Sequence, residues 1–164
     1  MKKVVFGFVM VIAMVWLSDI YASATPNVAI QTWYLLDSGK HLDWDGSTAY
    51  QNEFNAGVNT WNAYRSGVIR QDTWYYDCDV TISDYYESNT DVCAITFSSG
   101  IIQFNSFQMN TKTSQERQNI CTHELGHALG LAHNQVGDVM YPYCSSVTTL
   151  SDNDKASYDV SYFR

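Results

Sequence analysis

The sequence predicts one layered domain of the α+β or α/β class, and three observations carry that reading. Residues 47–65 place Tyr50, Phe54, Val58 and Trp61 at spacings of four, four and three, which marks one apolar face of an amphipathic helix. Between that helix and residue 112 the pattern changes to short runs rich in β-branched and aromatic residues, the signature of strands. Two further helix starts follow, at Thr113 and Ser151, so the order is helix, sheet, helix, loop, helix. With 164 residues, 46% of them hydrophobic and 16% charged, the chain has enough apolar material for a single core.

The N-terminus comes first. Lys2 and Lys3 lead an apolar run from Val4 to Leu17, and Ala22, Ser23 and Ala24 supply small residues after a polar step, which is the layout of a secretory signal. Residues 1–24 are therefore expected to be removed, leaving 25–164 as the folded domain, secreted, extracellular and free of the membrane. The apolar run is short for a membrane span, and no cysteine near the cut invites lipidation. In the first helix Ser47 or Thr48 serves as cap and Gly67 as stop. Val80–Ser83, Cys93–Phe97 and Ile101–Met109 read as strands, with Ser98–Gly100 as a tight turn. Thr113, Ser114, Gln115 and Glu116 form a capping box that opens a helix reaching about Gly130. Ser151–Asp154 opens a last short helix that passes Ala156 and Tyr158 toward Tyr162.

Charge and cysteines narrow the classes. A net charge of -8, with no clustered Lys and Arg, excludes nucleic acid and anionic lipid as partners. Four cysteines in a secreted chain, Cys78, Cys93, Cys121 and Cys144, predict two disulfides. Three pairings are open, and local spacing favours Cys78 with Cys93 and Cys121 with Cys144. The many aspartates show no DxDxDG spacing, so their pattern does not by itself specify calcium. The pairs Tyr75, Tyr76 and Tyr85, Tyr86 fit strand packing as well as they fit a binding face.

The stretch from His123 to His133 carries the chemistry. His123 and His127 are four apart on a helix, so both imidazoles point to one side and can share a zinc ion. Glu124 lies at the edge of that face, within reach of a metal-activated water without being a ligand. Gly130 is placed to adopt a left-handed backbone and turn the chain, so that His133 approaches the metal from another element. Three neutral histidines leave a fourth position open, the pattern of a catalytic zinc rather than a structural one. Three of the four histidines are used in this way, and His41 is left as a surface residue.

This segment resembles the extended zinc signature of the metzincin metallopeptidases, and its surroundings are most similar to the matrixin branch, the group of matrix metalloproteinase catalytic domains and their small bacterial relatives. Downstream, Asp138, Val139, Met140, Tyr141 and Pro142 resemble the Met-turn, with Met140 as an apolar floor beneath the metal. Upstream, Ile101, Ile102, Gln103, Phe104 and Asn105 resemble the edge strand that receives the substrate. Leu150, Ser151 and Asp154 resemble the start of the C-terminal helix. The resemblance implies an α+β, zincin-like fold: a mixed twisted sheet with an antiparallel edge strand, two long helices including the zinc-binding one, and a short C-terminal helix. It also raises calcium as a second ion beside the one catalytic zinc.

Three departures accompany the likeness. Cys144 stands four positions after the methionine, where relatives usually carry a tyrosine, and Tyr143 stands one step earlier, so Tyr141, Pro142 and Tyr143 become the pocket candidates. Few residues separate Ala24 from Asp45 and none is a cysteine, which leaves no long inhibitory segment. Pro142 occupies the place of the extra tyrosine ligand of the astacin-like branch.

The resulting expectation is a secreted, monomeric zinc endopeptidase of the metzincin type that cuts peptide bonds in protein or peptide substrates. Attack would come from a zinc-activated water with Glu124 as general base. The alternative is a secreted zinc-binding interaction or toxin-like module without turnover, which would need the histidines but not Glu124.

Overall fold

A computed structural model describes residues 25–73 and 77–164 of the chain. The expected signal segment 1–24 and the Tyr75, Tyr76 pair lie outside the described residues. Nine elements follow one another: β1 (Leu42–Gly46), α1 (Gln51–Tyr64), β2 (Ile69–Gln71), β3 (Val80–Tyr85), β4 (Ala94–Phe97), β5 (Ile101–Asn105), α2 (Ser106–Met109), α3 (Ser114–Ala128) and α4 (Asp152–Tyr162).

Helix α1 buries Phe54 and Trp61, and Tyr50 just before it, along the stripe expected from their spacing, with Val58 partly covered. Its start falls later than expected: Tyr50 is the cap residue, and Thr48 accepts a hydrogen bond from the Tyr50 amide (3.2 Å) one step outside the helix. Helices α1 and α3 pack on each other, and the Trp61 indole donates to the Thr122 carbonyl between them (2.9 Å). Below the helices, Trp44 and Phe104 meet the Phe54 ring edge-on at 5.0 and 6.2 Å. Such edge contacts add to the burial of these large rings.

The sheet has five strands in the order β2-β1-β3-β5-β4. Its first four strands run parallel and β4 runs antiparallel against β5. In β3 the buried Val80 and Ile82 alternate with exposed Thr81, as expected of a sheet covered by helices on one face. The mixed sheet and the helix carrying the histidines are those of the expected α+β fold.

Two corrections follow from this topology. Ile101–Asn105 is not the edge strand. It is β5, paired with β3 on one side and β4 on the other, with Ile102 and Phe104 fully buried, so its main chain has no free side for a substrate. The antiparallel edge is β4, Ala94–Phe97, with β2 at the opposite edge. The strand also ends sooner than Met109, because buried Asn105 turns the chain into α2. Its side chain accepts from the Phe107 and Glu87 amides (3.2 and 3.0 Å) and donates to the Glu87 and Val92 carbonyls (2.8 and 3.0 Å).

The cysteines give a third correction. All four are free thiols, so neither Cys78 with Cys93 nor Cys121 with Cys144 is joined. Cys121 is turned into the core on α3, whereas Cys144 is exposed on a loop. Cys78 instead points at the Val80 carbonyl (3.2 Å).

Candidate metal centre

Helix α3 begins in the expected capping box: Thr113 accepts from the Glu116 amide (3.3 Å), and Glu116 accepts from the Thr113 amide (2.8 Å). This fixes the phase of the helix, so His123 and His127 fall on one side with ring centroids 4.6 Å apart. After Ala128 the helix stops and Gly130, at φ 92°, reverses the chain. A side chain there would be strained in this left-handed conformation, and its Cβ would also stand 2.4 Å from the Ser161 hydroxyl. The reversal brings His133 back, its ring 5.2 Å from His123 and 4.9 Å from His127.

One ligand atom from each of the three imidazoles lies within 4.8 Å of the others. The Nε2 atoms of His127 and His133 are 3.2 Å apart, a convergence that a cation between them satisfies. His123 Nδ1 faces the Val139 carbonyl and His127 Nδ1 faces the Leu131 carbonyl, each at 2.9 Å. A carbonyl at Nδ1 requires the ring proton there, which leaves the Nε2 lone pair free for a metal. Burial pushes both His123 and His127 down to about 4, the nearby histidines adding to the effect, so both rings are neutral and able to ligate. The donor set fits zinc: three imidazole nitrogens with anchored second nitrogens and a side open to a cleft.

Glu124 is buried beside the cluster and hydrogen-bonded by Thr96 Oγ1 to its Oε2 (2.7 Å). Burial raises its carboxyl above the ordinary range, while His127 and the Thr96 hydrogen bond pull it back down. Thr96 sits on edge strand β4, so the strand that faces the cleft also orients the acid. Sequence reading missed Thr96, since an isolated threonine in a strand carries no signal of its partner.

Met140 is fully buried under α3 at Gly126, where an added Cβ would stand 2.4 Å from its sulfur. Glycine at that helix position is what lets the thioether approach. Buried Asp154 holds this turn: its carboxylate accepts from the amides of Val139 (2.9 Å), Met140 (3.2 Å) and Ser151 (2.9 Å). The Val139 carbonyl in turn orients His123, and the Met140 carbonyl accepts from the Asn134 amide beside His133 (2.8 Å). The capping box at Ser151 was legible, but not that its acid also ties down the Met140 turn.

The cluster opens into a cleft of about 1080 Å³. Its lining includes Ala94, Ile95 and Thr96 of β4 and Tyr141, Pro142, Tyr143 and Cys144, so the three expected pocket residues all reach it. Cys93 also lines it, while Cys78 and Cys121 do not. His41 lies outside the cluster, its Nδ1 3.7 Å from Asp37.

A second group, Asp37, Asp43 and Asp79, brings carboxylate oxygens within 4.8 Å of one another. Its cation is already present: Arg70 binds Asp43 through two nitrogens (2.7 and 2.6 Å) and reaches Asp37 (3.5 Å). The expectation of calcium therefore gains no support from this cluster.

The matrixin family model matches residues 37–162, and the chain belongs to the matrixin family. No curated protein matches it.

Proposed function

We propose, from membership of the matrixin family and the convergence of three imidazoles beside a buried glutamate, that the chain is a secreted zinc-dependent endopeptidase. His123, His127 and His133 would hold the ion, and Glu124 would be the general acid and base. A bound zinc supplies a Lewis-acidic centre that makes water a nucleophile at neutral pH. The substrate backbone would add antiparallel to β4, whose outer side has no strand partner, with its side chains facing Tyr141, Pro142 and Tyr143. Glu124 would take a proton from the attacking water and deliver it to the leaving amine. The single observation that carries this reading is Glu124, buried in the cleft lining with the three histidines and hydrogen-bonded by Thr96, a carboxylate that a module that only bound zinc would not need. Export is inferred from the layout of residues 1–24, and among the described residues no helix is long and apolar enough to cross a membrane.

The test is cleavage of a broad peptide library by the purified protein before and after chelation. Chelation is expected to abolish cleavage, and one equivalent of zinc to restore it, with the far-ultraviolet circular dichroism unchanged throughout. Zinc-loaded protein that leaves the library and denatured proteins intact would overturn the peptidase reading, and a fold that collapses on chelation would indicate a structural ion.

The Thr96 hydroxyl gives a second expectation. In Thr96→Val the carboxylate loses a charge-assisted hydrogen bond of about 1.5 kcal/mol, so kcat/KM is expected to fall about tenfold at neutral pH with zinc content unchanged. The lost bond had lowered the Glu124 pKa, so the acidic limb of the pH–rate profile should move to higher pH. An unmoved acidic limb would separate Thr96 from Glu124 ionisation.

A further inference from the structure

The segment before β1 runs beside the histidine cluster, and Ile30, Gln31, Thr32 and Trp33 line the same cleft. The Gln31 amide donates to the Gly130 carbonyl (2.8 Å), the Ala132 amide to the Ala29 carbonyl (3.0 Å) and the Leu35 amide to the Ala128 carbonyl (2.9 Å), and Ile30 bridges Leu131. This strap is therefore paired with the same turn that carries the chain from His127 to His133. Its ends are fastened independently. The Ala29 amide reaches the Ser157 hydroxyl of α4 (3.0 Å), and the Arg164 guanidinium binds the carbonyls of Gln31 (2.5 Å) and Trp33 (2.9 Å).

From this strap the Gln31 side chain reaches the metal cluster. Its Nε2 lies 3.2 Å from the Leu131 carbonyl and 3.0 Å from His127 Nδ1. The Leu131 carbonyl is also the partner of His127 Nδ1, at 2.9 Å. With the ring proton on Nδ1, the histidine and the Gln31 amide both donate to the Leu131 carbonyl oxygen from the same side, and the amide nitrogen packs against the Nδ1 edge of the ring. Gln31 thus touches both the His127 ring and the carbonyl that accepts from it, and it pins the carbonyl whose direction sets the plane of the ring.

We propose that Gln31 is a positioning residue for the metal: through the Leu131 carbonyl it holds His127 with Nε2 turned to the ion, and the strap over residues 29–35 is a working part of the metal site. The proposal rests on His127 being a zinc ligand. Loss of a group that orients a ligating histidine typically weakens metal binding about 10–100-fold. Gln31→Met keeps the length and bulk of the side chain and removes only its polar end.

The experiment is a chelator-competition titration of zinc into the metal-free native protein and Gln31→Met, with the cobalt(II) absorption spectrum of each and the melting temperature of each without metal. Native protein is expected to bind one zinc; the variant is expected to bind it at least tenfold more weakly, with a shifted cobalt band and the same metal-free melting temperature. Native protein that binds no zinc would overturn the ligand assignment itself. One zinc bound by native protein, with variant affinity within twofold, would overturn the role of Gln31 alone, as would a weakening matched by an equal loss of metal-free stability. Should Gln31→Met fail to fold, Arg164→Met, at an exposed chain end, decides: zinc weakened severalfold supports the strap's part in the site, and unchanged affinity overturns it.

Discussion

Glu124→Gln is expected to lower kcat/KM by about 10²–10⁴-fold, the usual contribution of a positioned general acid and base. The amide keeps the shape of the side chain and an oxygen for the Thr96 hydroxyl, so the geometry that Thr96 imposes survives and only the proton acceptor is lost. Because Glu124 is not among the three converging imidazoles, zinc content measured on the same samples should stay at one ion. Stability supplies an independent reading. Burial raises the Glu124 pKa, so the ionised carboxylate disfavours the folded state once the pH exceeds its ordinary value. The metal-free variant should therefore melt higher than the native protein at neutral pH, and the difference should close as the pH falls below the ordinary carboxylate range of about 4.3. Retained turnover in the variant would remove Glu124 from the mechanism, and a lower melting temperature would show that its burial is compensated.

Asp154→Ala carries the largest expected loss of stability, about 3 kcal/mol, because it strips the acceptor from three amides, two of them in the buried Val139 and Met140 turn. For a chain of this size that corresponds to a fall of about 6–12 °C in Tm. Function should suffer with it. The freed turn carries the carbonyl that orients His123 and the methionine that fills the space at Gly126, so zinc should bind more weakly as well. Asp154→Asn, which keeps one carboxamide oxygen, is expected to lie between the two in a thermal melt. A melt of Asp154→Ala within 2 °C of native would mean that water replaces the carboxylate at this turn.

How much of this was legible in the chain depends on the range over which each feature is decided. The helix carrying His123 and His127, its capping box at Thr113 and the reversal at Gly130 follow from neighbours within a few residues, and all three stand as expected. Strand β1 was missed because its LDWDG sequence holds two aspartates and a glycine, poor strand formers. It becomes a strand through pairing with β2 and β3 on either side, and Asp43 is tolerated inside because Arg70 arrives from β2 to neutralise it.

The three-imidazole cluster is written in the chain, in spacings that helix periodicity and one glycine bring to a common point. Which strand of the β4–β5 hairpin faces the cleft is set by long-range pairing, because both have strand-like sequences and the choice rests on β3 pairing with β5. The same packing leaves the four thiols free. Thr96 and Gln31 belong to the same class, their partners lying 28 and 100 residues away along the chain. Local periodicity points a side chain to a face, but what it meets there is set by the long-range packing of other elements.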